Sequence, residues 1–176
     1  MMDGDKESAR SMTRAEVLGR LRSERARFDA AVAAIPAGKL SFVPAGRAHS
    51  PRDIVAHVAA YDRLIVERLR ASRAGETTAF DRDRVGWEAF NERVWAAAAQ
   101  LSAEETIADA AAVFAELLDE IARLSDEELA APTGATAALD PAWLDGRAPA
   151  VLIGIDGFEH YPMHLAALED ARVTDG

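Results

Sequence analysis

Two histidines stand four residues apart near the end of the chain, in Asp156-Gly-Phe-Glu-His160-Tyr-Pro-Met-His164. On a helix that spacing puts both imidazoles on one face, one turn apart. A third, His57, lies far upstream in Ser50-Pro-Arg-Asp-Ile-Val-Ala-His57. Two imidazoles from one helix and one from another can hold a divalent metal inside a helical bundle. Three neutral nitrogens leave a tetrahedral sphere open at one position, as catalytic rather than structural sites do. Zinc is the first expectation, and nickel and iron suit imidazole equally well. Such an ion could lower the pKa of a water or activate a thiol.

The competing reading makes each histidine a hydrogen-bonded core residue. Three of the four histidines on inward faces weigh against it, because three neutral imidazoles are a costly way to fill a core. The fourth, His49, precedes a helix cap and reads as a loop residue, the least suited to ligation.

Several neighbours are candidates for supporting roles. Asp53 and Asp156 each precede a histidine by four residues, so either carboxylate could accept the distal imidazole N–H and fix its tautomer. Asp156 could instead be a ligand. Tyr61 follows His57 by one turn and reads as core first, pocket second. Asn91 lies in the apolar stripe between Trp87 and Trp95, where a helix–helix hydrogen bond is the simpler reading and a pocket role the alternative. Arg47 and Arg52 flank the start of the second helix, and Arg147 precedes the last. They read first as solvated surface charges worth ~0–1 kcal/mol, and second as a fork for an anionic cofactor. No further catalytic residue is assigned.

The elements that must position these groups are helical. Thr13-Arg-Ala-Glu16 is a capping box, and Val17, Leu21, Phe28, Val32 and Ile35 follow on one face until Pro36 and Gly38. Ser50-Pro51-Arg52-Asp53 starts the second helix, with a hydroxyl cap, proline in the first turn and an acid against the dipole. Its buried stripe is Ile54, His57, Val58, Tyr61, Leu64 and Ile65, and it runs to about Ser72. The connection is polar from Thr77 to Asp83, and about ten extended residues reach ~33 Å, the length of a 22-residue helix. The second and third helices can therefore run parallel, joined by a crossover.

Trp87, Phe90, Asn91, Val94 and Trp95 open the third amphipathic stretch. Ser102-Ala-Glu-Glu105 looks like a capping box at a kink or short break, after which Phe114, Leu117, Leu118, Ile121 and Leu124 resume the face. Ser125-Asp-Glu-Glu128 caps a short turn, and residues 132–147 read as a long loop anchored by Trp143. The last helix is expected from about Pro149 to Val173, kinked between its histidines by Pro162, which removes a backbone hydrogen bond and crowds the carbonyl of Phe158. No stretch alternates as a strand would. The expectation is an all-α four-helix bundle in one domain, residues 12–174, with residues 1–11 a disordered polar tail.

Composition narrows the function. Twenty Lys and Arg against thirty Asp and Glu give a net charge of −10, so nucleic acid is a poor partner. There is no cysteine, which removes disulfides, thiolate ligands and Cys nucleophiles. No apolar run reaches the ~20 residues that cross a bilayer, and the N-terminus lacks a signal-peptide core. A cytoplasmic protein with a small-molecule substrate, and neither nucleic acid nor membrane as partner, is expected; a homodimer is compatible with this.

The pattern Ser50-x-x-Asp53-x-x-x-His57, then His160-Tyr-Pro-x-His164-x-x-x-Leu168, resembles the DinB-like four-helix-bundle superfamily across most of residues 13–170. The resemblance implies an up-down-down-up bundle with a metal on a histidine triad, here His57, His160 and His164. It further implies a metal-dependent hydrolase, or a transferase or isomerase using a low-molecular-weight thiol such as mycothiol, bacillithiol or glutathione. Many members carry Trp where this chain has His49, which bears on pocket shape. Trp87-Glu-Ala-Phe-Asn91 and Leu124-Ser-Asp-Glu-Glu-Leu129 are also similar to the colibactin self-resistance branch. That likeness implies the alternatives of a metal-free protein that binds or disarms a reactive small molecule, or a bundle without activity.

Overall fold

A computed structural model describes residues 12–173; the tail expected over residues 1–11 lies outside them. The described residues form helices, turns and loops, with no strand. Helix α1 spans Arg14–Ala33, α2 Pro51–Arg73, α3 Ala79–Arg82, α4 Trp87–Ala98, α5 Ala103–Ala122, α6 Asp126–Ala130, α7 Pro141–Leu144, α8 Pro149–Ile153 and α9 His160–Val173. A π-helical turn, Gly154–Phe158, lies between α8 and α9.

The starts follow local chemistry. Capping boxes close at Thr13–Glu16, Ser50–Asp53, Ser102–Glu105 and Ser125–Glu128, each satisfying two orphan N–H groups. Pro51 occupies the first turn of α2, where its missing N–H is harmless.

Pairs between helices fix their directions. Along α2 and α5, Arg52 donates to the Leu101 carbonyl, Arg63 pairs with Asp109 and Arg73 with Glu120. Both numbers rise together, so these helices are parallel. Arg25 meets Asp62, and the Arg52 N–H donates to the Leu40 carbonyl, so α1 opposes α2. Arg68 meets Asp156 and His57 meets His164, so the last helix also opposes α2. The bundle is up-down-down-up.

The crossover between α2 and α5 is itself helical. Arg68 holds Asp81, Tyr61 meets Asn91 and His57 faces Trp95, so α4 climbs back along α2. The Trp87–Trp95 stretch, expected as the start of the third bundle helix, is therefore a separate helix. It ends before Ser102, whose cap begins α5. Ser102 marks a new start rather than a kink because its hydroxyl and Glu105 close a full box.

Leu21, Ile65, Leu69, Leu117, Ile121 and Leu168 are wholly excluded from water, and each contributes ~1.5–3 kcal/mol by burial. Every residue of the expected α1 stripe is buried. The loop of residues 132–147 contains short helical turns, including α7.

The kink expected at Pro162 is displaced. α9 runs unbroken through both histidines, and the irregularity lies one turn earlier. There the Glu159 N–H donates to the Gly154 carbonyl, five residues back, at 2.8 Å. Pro162 falls in the first turn of α9, where a missing donor costs little.

Candidate metal centre

His57 comes from the middle of α2, and His160 and His164 from the first turns of α9. The antiparallel pairing of these helices brings together residues 103 positions apart. The Nε2 atoms of His57 and His160 are 3.1 Å apart, and those of His164 and His160 are 2.9 Å apart. The three residues each offer a ligand atom, all within 4.8 Å of one another.

Burial dominates their charge state. It lowers the His57 pKa to about 4, helped by His164 and His49. Burial lowers His160 to about 3, helped by His164 and His57. His164 is lowered by burial as well. The cluster is therefore neutral near pH 7, with lone pairs available. The Nδ1 atom of His57 is buried and has no hydrogen-bond partner; that of His160 lacks one of good geometry, although the Asp156 backbone acts on this ring as a hydrogen bond would, opposing the fall in its pKa.

Aromatic rings fix the cluster in place. Tyr61 packs against His57 and His160 at centroid distances of 4.8 and 4.5 Å. Its other side stacks on Trp87 at 5.3 Å. Its hydroxyl donates to Asn91 Oδ1 at 3.4 Å, so Asn91 makes the simpler of its two expected contacts, a bond between helices. Burial raises the Tyr61 pKa against the opposing effect of Asn91.

Neither carboxylate reaches an imidazole. Asp53 accepts from the Ser50 N–H and hydroxyl at 2.9 and 2.7 Å, and from Arg52. Burial pushes its pKa up, but these bonds outweigh that and hold it below the ordinary value. The helix cap has claimed it. Asp156 is drawn to Arg68 at 3.3 Å and to the Trp143 indole N–H at 3.4 Å. Burial raises its pKa, with Arg68 and Trp143 acting against the rise.

The arginines also separate. Arg47 borders a cavity of about 220 Å³ that includes His49, His57, Trp95 and His164, and it is ion-paired with Asp170. Arg52 is held by Asp53. Arg147 pairs with Asp145 and borders a different cavity, with Tyr61 and Trp87. His49, expected as a bystander, stacks on Trp95 at 3.9 Å and lines the histidine cavity.

Several buried charges escaped the sequence reading. Asp62 is fully buried, accepting from Tyr161 at 2.7 Å and paired with Arg25 at 3.3 Å. Arg68, 2% exposed, chelates Asp81 and lies 4.2 Å from the centre of the Trp143 ring. Asp62 interrupts the stripe Val58–Ile65–Leu69, and Arg25 interrupts Leu21–Phe28. Opposite charges inside two core stripes were the available signal.

Fold and site together define an up-down-down-up helical bundle with three convergent imidazoles between α2 and α9. The sequence profile of the DinB superfamily matches residues 10–151, and the chain belongs to that superfamily. The match stops short of His160 and His164, so those two donors rest on the structure. No curated protein matches the sequence. Solved structures that share the fold include these three. One is the colibactin self-resistance protein ClbS in complex with a double-stranded DNA, at TM-score 0.77 and 15% identity, covering 93% of this chain and 98% of that one. An uncharacterised protein from Escherichia coli UTI89 gives TM-score 0.74 at 18% identity, covering 89% and 90%. A protein from Streptococcus pneumoniae gives 0.72 at 14%, covering 89% and 88%. No helix among the described residues is long and apolar enough to cross a membrane.

Proposed function

We propose that the chain is a metal-dependent enzyme acting on a small molecule, with the ion held by His57, His160 and His164. The observation that carries this reading is the convergence of three neutral imidazoles. Their Nε2 spacings of 3.1 and 2.9 Å suit neighbouring ligands at ~2.0–2.1 Å from one ion. Zinc comes first by availability; nickel and iron remain equally suited to the donors. A bound divalent ion supplies Lewis acidity, which makes a water or thiol in the cavity a better nucleophile.

The chain's own residues orient and enclose. Tyr61 holds the His57 and His160 rings at fixed tilts. The His49–Trp95 stack walls the cavity. Arg47 lies at its border, and an anionic co-substrate that takes the place of its partner Asp170 would be held there, which favours transfer of a low-molecular-weight thiol or hydrolysis of an acidic molecule.

A second reading is a metal-free protein that binds or disarms a reactive small molecule. It is favoured by the partnerless Nδ1 atom of His57, because metal-bound histidines usually pass that N–H to an acceptor. Elemental analysis of tag-free protein separates the two. The metal reading expects about one transition metal per chain, lost in His57→Ala and His160→Ala proteins that keep their helical circular dichroism. A wild-type protein that carries no metal and takes up no zinc, nickel or iron on incubation favours the second reading.

A further inference from the structure

Helix α4 carries two working faces. Trp87, Asn91 and Trp95 look toward Tyr61 and the histidines. Around the helix, Phe90, Val94, Ala97 and Leu101 border a separate cavity of about 420 Å³, closed on the α2 side by Ala56, Ala60 and Leu64. Of the α4 residues only Ala98 is buried. The cavity is a groove open to solvent, with Asp83, Arg93, Ala97 and Leu101 exposed along it, and pockets of ~300–1,000 Å³ take small molecules. Small alanines on both walls leave the space open, and Phe80 and Val85 add apolar surface at the α3 end.

Charge gives the cavity a direction. Arg93 lies on the same stripe, three residues after Phe90, and lines the cavity. It makes no hydrogen bond or ion pair among the described residues. Arg63 on the opposite wall is bound to Asp109 at 2.7 and 3.0 Å. The pairs Tyr61–Asn91 and Arg68–Asp81 set the register, so that Arg93 lies near the level of Ala60. Asp109, neutralised by Arg63, and the carboxylates of Glu67 and Asp83 also line the cavity. Glu67 lies about two turns further along α2, ~10 Å away, toward α3. An anion is attracted at one end and repelled at the other.

We propose that this cavity is a second ligand site, which binds an apolar monocarboxylate with its head on Arg93 and its body between α4 and α2. At ~30 Å³ per heavy atom, the share of a water molecule, the space takes roughly a dozen heavy atoms. That suits a medium-length acyl chain and is too small for a helix ~10 Å across. The site is independent of the histidines and does not rest on a metal there.

Calorimetric titration with decanoate, decanol and decylamine tests this. One decanoate binds per chain, about tenfold tighter than decanol, as a charge-assisted hydrogen bond provides, and decylamine binds weakest. Arg93→Gln removes the preference for decanoate over decanol. Ala97→Phe fills the cavity from an exposed position and abolishes binding of all three. Arg93 is exposed as well, so its substitution carries the test even if Ala97→Phe does not fold. Absence of decanoate binding, tighter binding of decylamine, or affinities untouched by Arg93→Gln would overturn the proposal.

Discussion

The Tyr161 hydroxyl donates a 2.7 Å hydrogen bond to Asp62, joining α9 to α2 one residue after His160. Burial pushes the Asp62 pKa up to about 7, with Tyr161 and Arg25 opposing the rise. A carboxyl whose folded pKa exceeds its unfolded value of ~3.9 binds its proton more tightly when folded. Its contribution to stability is complete below that unfolded value and is lost as pH rises through about 7. Asn at this position stays neutral throughout. Urea unfolding at pH 5 and pH 8 should therefore show the stability difference moving in favour of Asp62→Asn as pH rises. A difference that stays flat, or moves the other way, means that Arg25 keeps Asp62 ionised.

Arg68 ties three segments together: α2, Asp81 of the crossover and Asp156 of the π turn. Arg68→Met strands two largely buried carboxylates, and a loss of about 3–5 kcal/mol is expected. Arg68→Lys keeps the charge but loses the two-pronged grip on Asp81. It should fall between wild type and Arg68→Met in chemical unfolding. A loss below about 1 kcal/mol for Arg68→Met would show that solvent compensates the stranded acids.

The two glycines of the π turn should respond differently. A Cβ at Gly154 would lie 2.7 Å from Cζ of the buried Phe158 ring. At Gly157 it would lie 3.0 Å from the end of the Leu21 side chain. Alanine gains ~1 kcal/mol over glycine in a helix, while overpacking costs ~1–3 kcal/mol. Gly157→Ala should come out near neutral and Gly154→Ala destabilising, by thermal unfolding. The reverse order would mean that the Phe158 ring relocates more readily than Leu21.

The thiol reading singles out Arg47. Titrating metal-loaded protein with mycothiol, bacillithiol and glutathione should find at least one that binds, about tenfold more weakly in Arg47→Gln, as loss of a charged hydrogen bond predicts. Arg147→Gln should leave that affinity unchanged. Equal effects of the two substitutions would return Arg47 to the ordinary surface charges.

Some of this was readable in the sequence because its causes are local. The boxes at Thr13, Ser50, Ser102 and Ser125 need only four residues each, and they place helix starts within a residue. The α1 stripe needs only its own periodicity. The role of Asp53 was misread because two local rules compete for one carboxylate: capping Ser50 three residues back and reaching His57 four residues on. The cap wins, since its N–H is already in place. Asp156 failed for another reason, since its partner Arg68 lies 88 positions away and nothing local identifies it. The separate α4 was hidden because an apolar stripe and a cap look the same before a kink and before a new helix. The meeting of His57 with His160 and His164 was expected from residue type and spacing, and the family pattern named the same three; helix periodicity by itself gives facing and not pairing.

The π turn sets the rotational phase of everything after it. A helix advances ~100° per residue, so deleting one residue between Gly154 and Phe158 would leave α9 free to pack but turn both its imidazoles away from α2. The bundle could survive such a deletion as a folded protein while its donors dispersed around the axis. The extra residue works like the offset on a vernier scale. It lets Asp156 stay aligned with Arg68 upstream while His160 and His164 stay aligned with His57 downstream, two settings that an unbroken α-helix would have to satisfy with a single pitch.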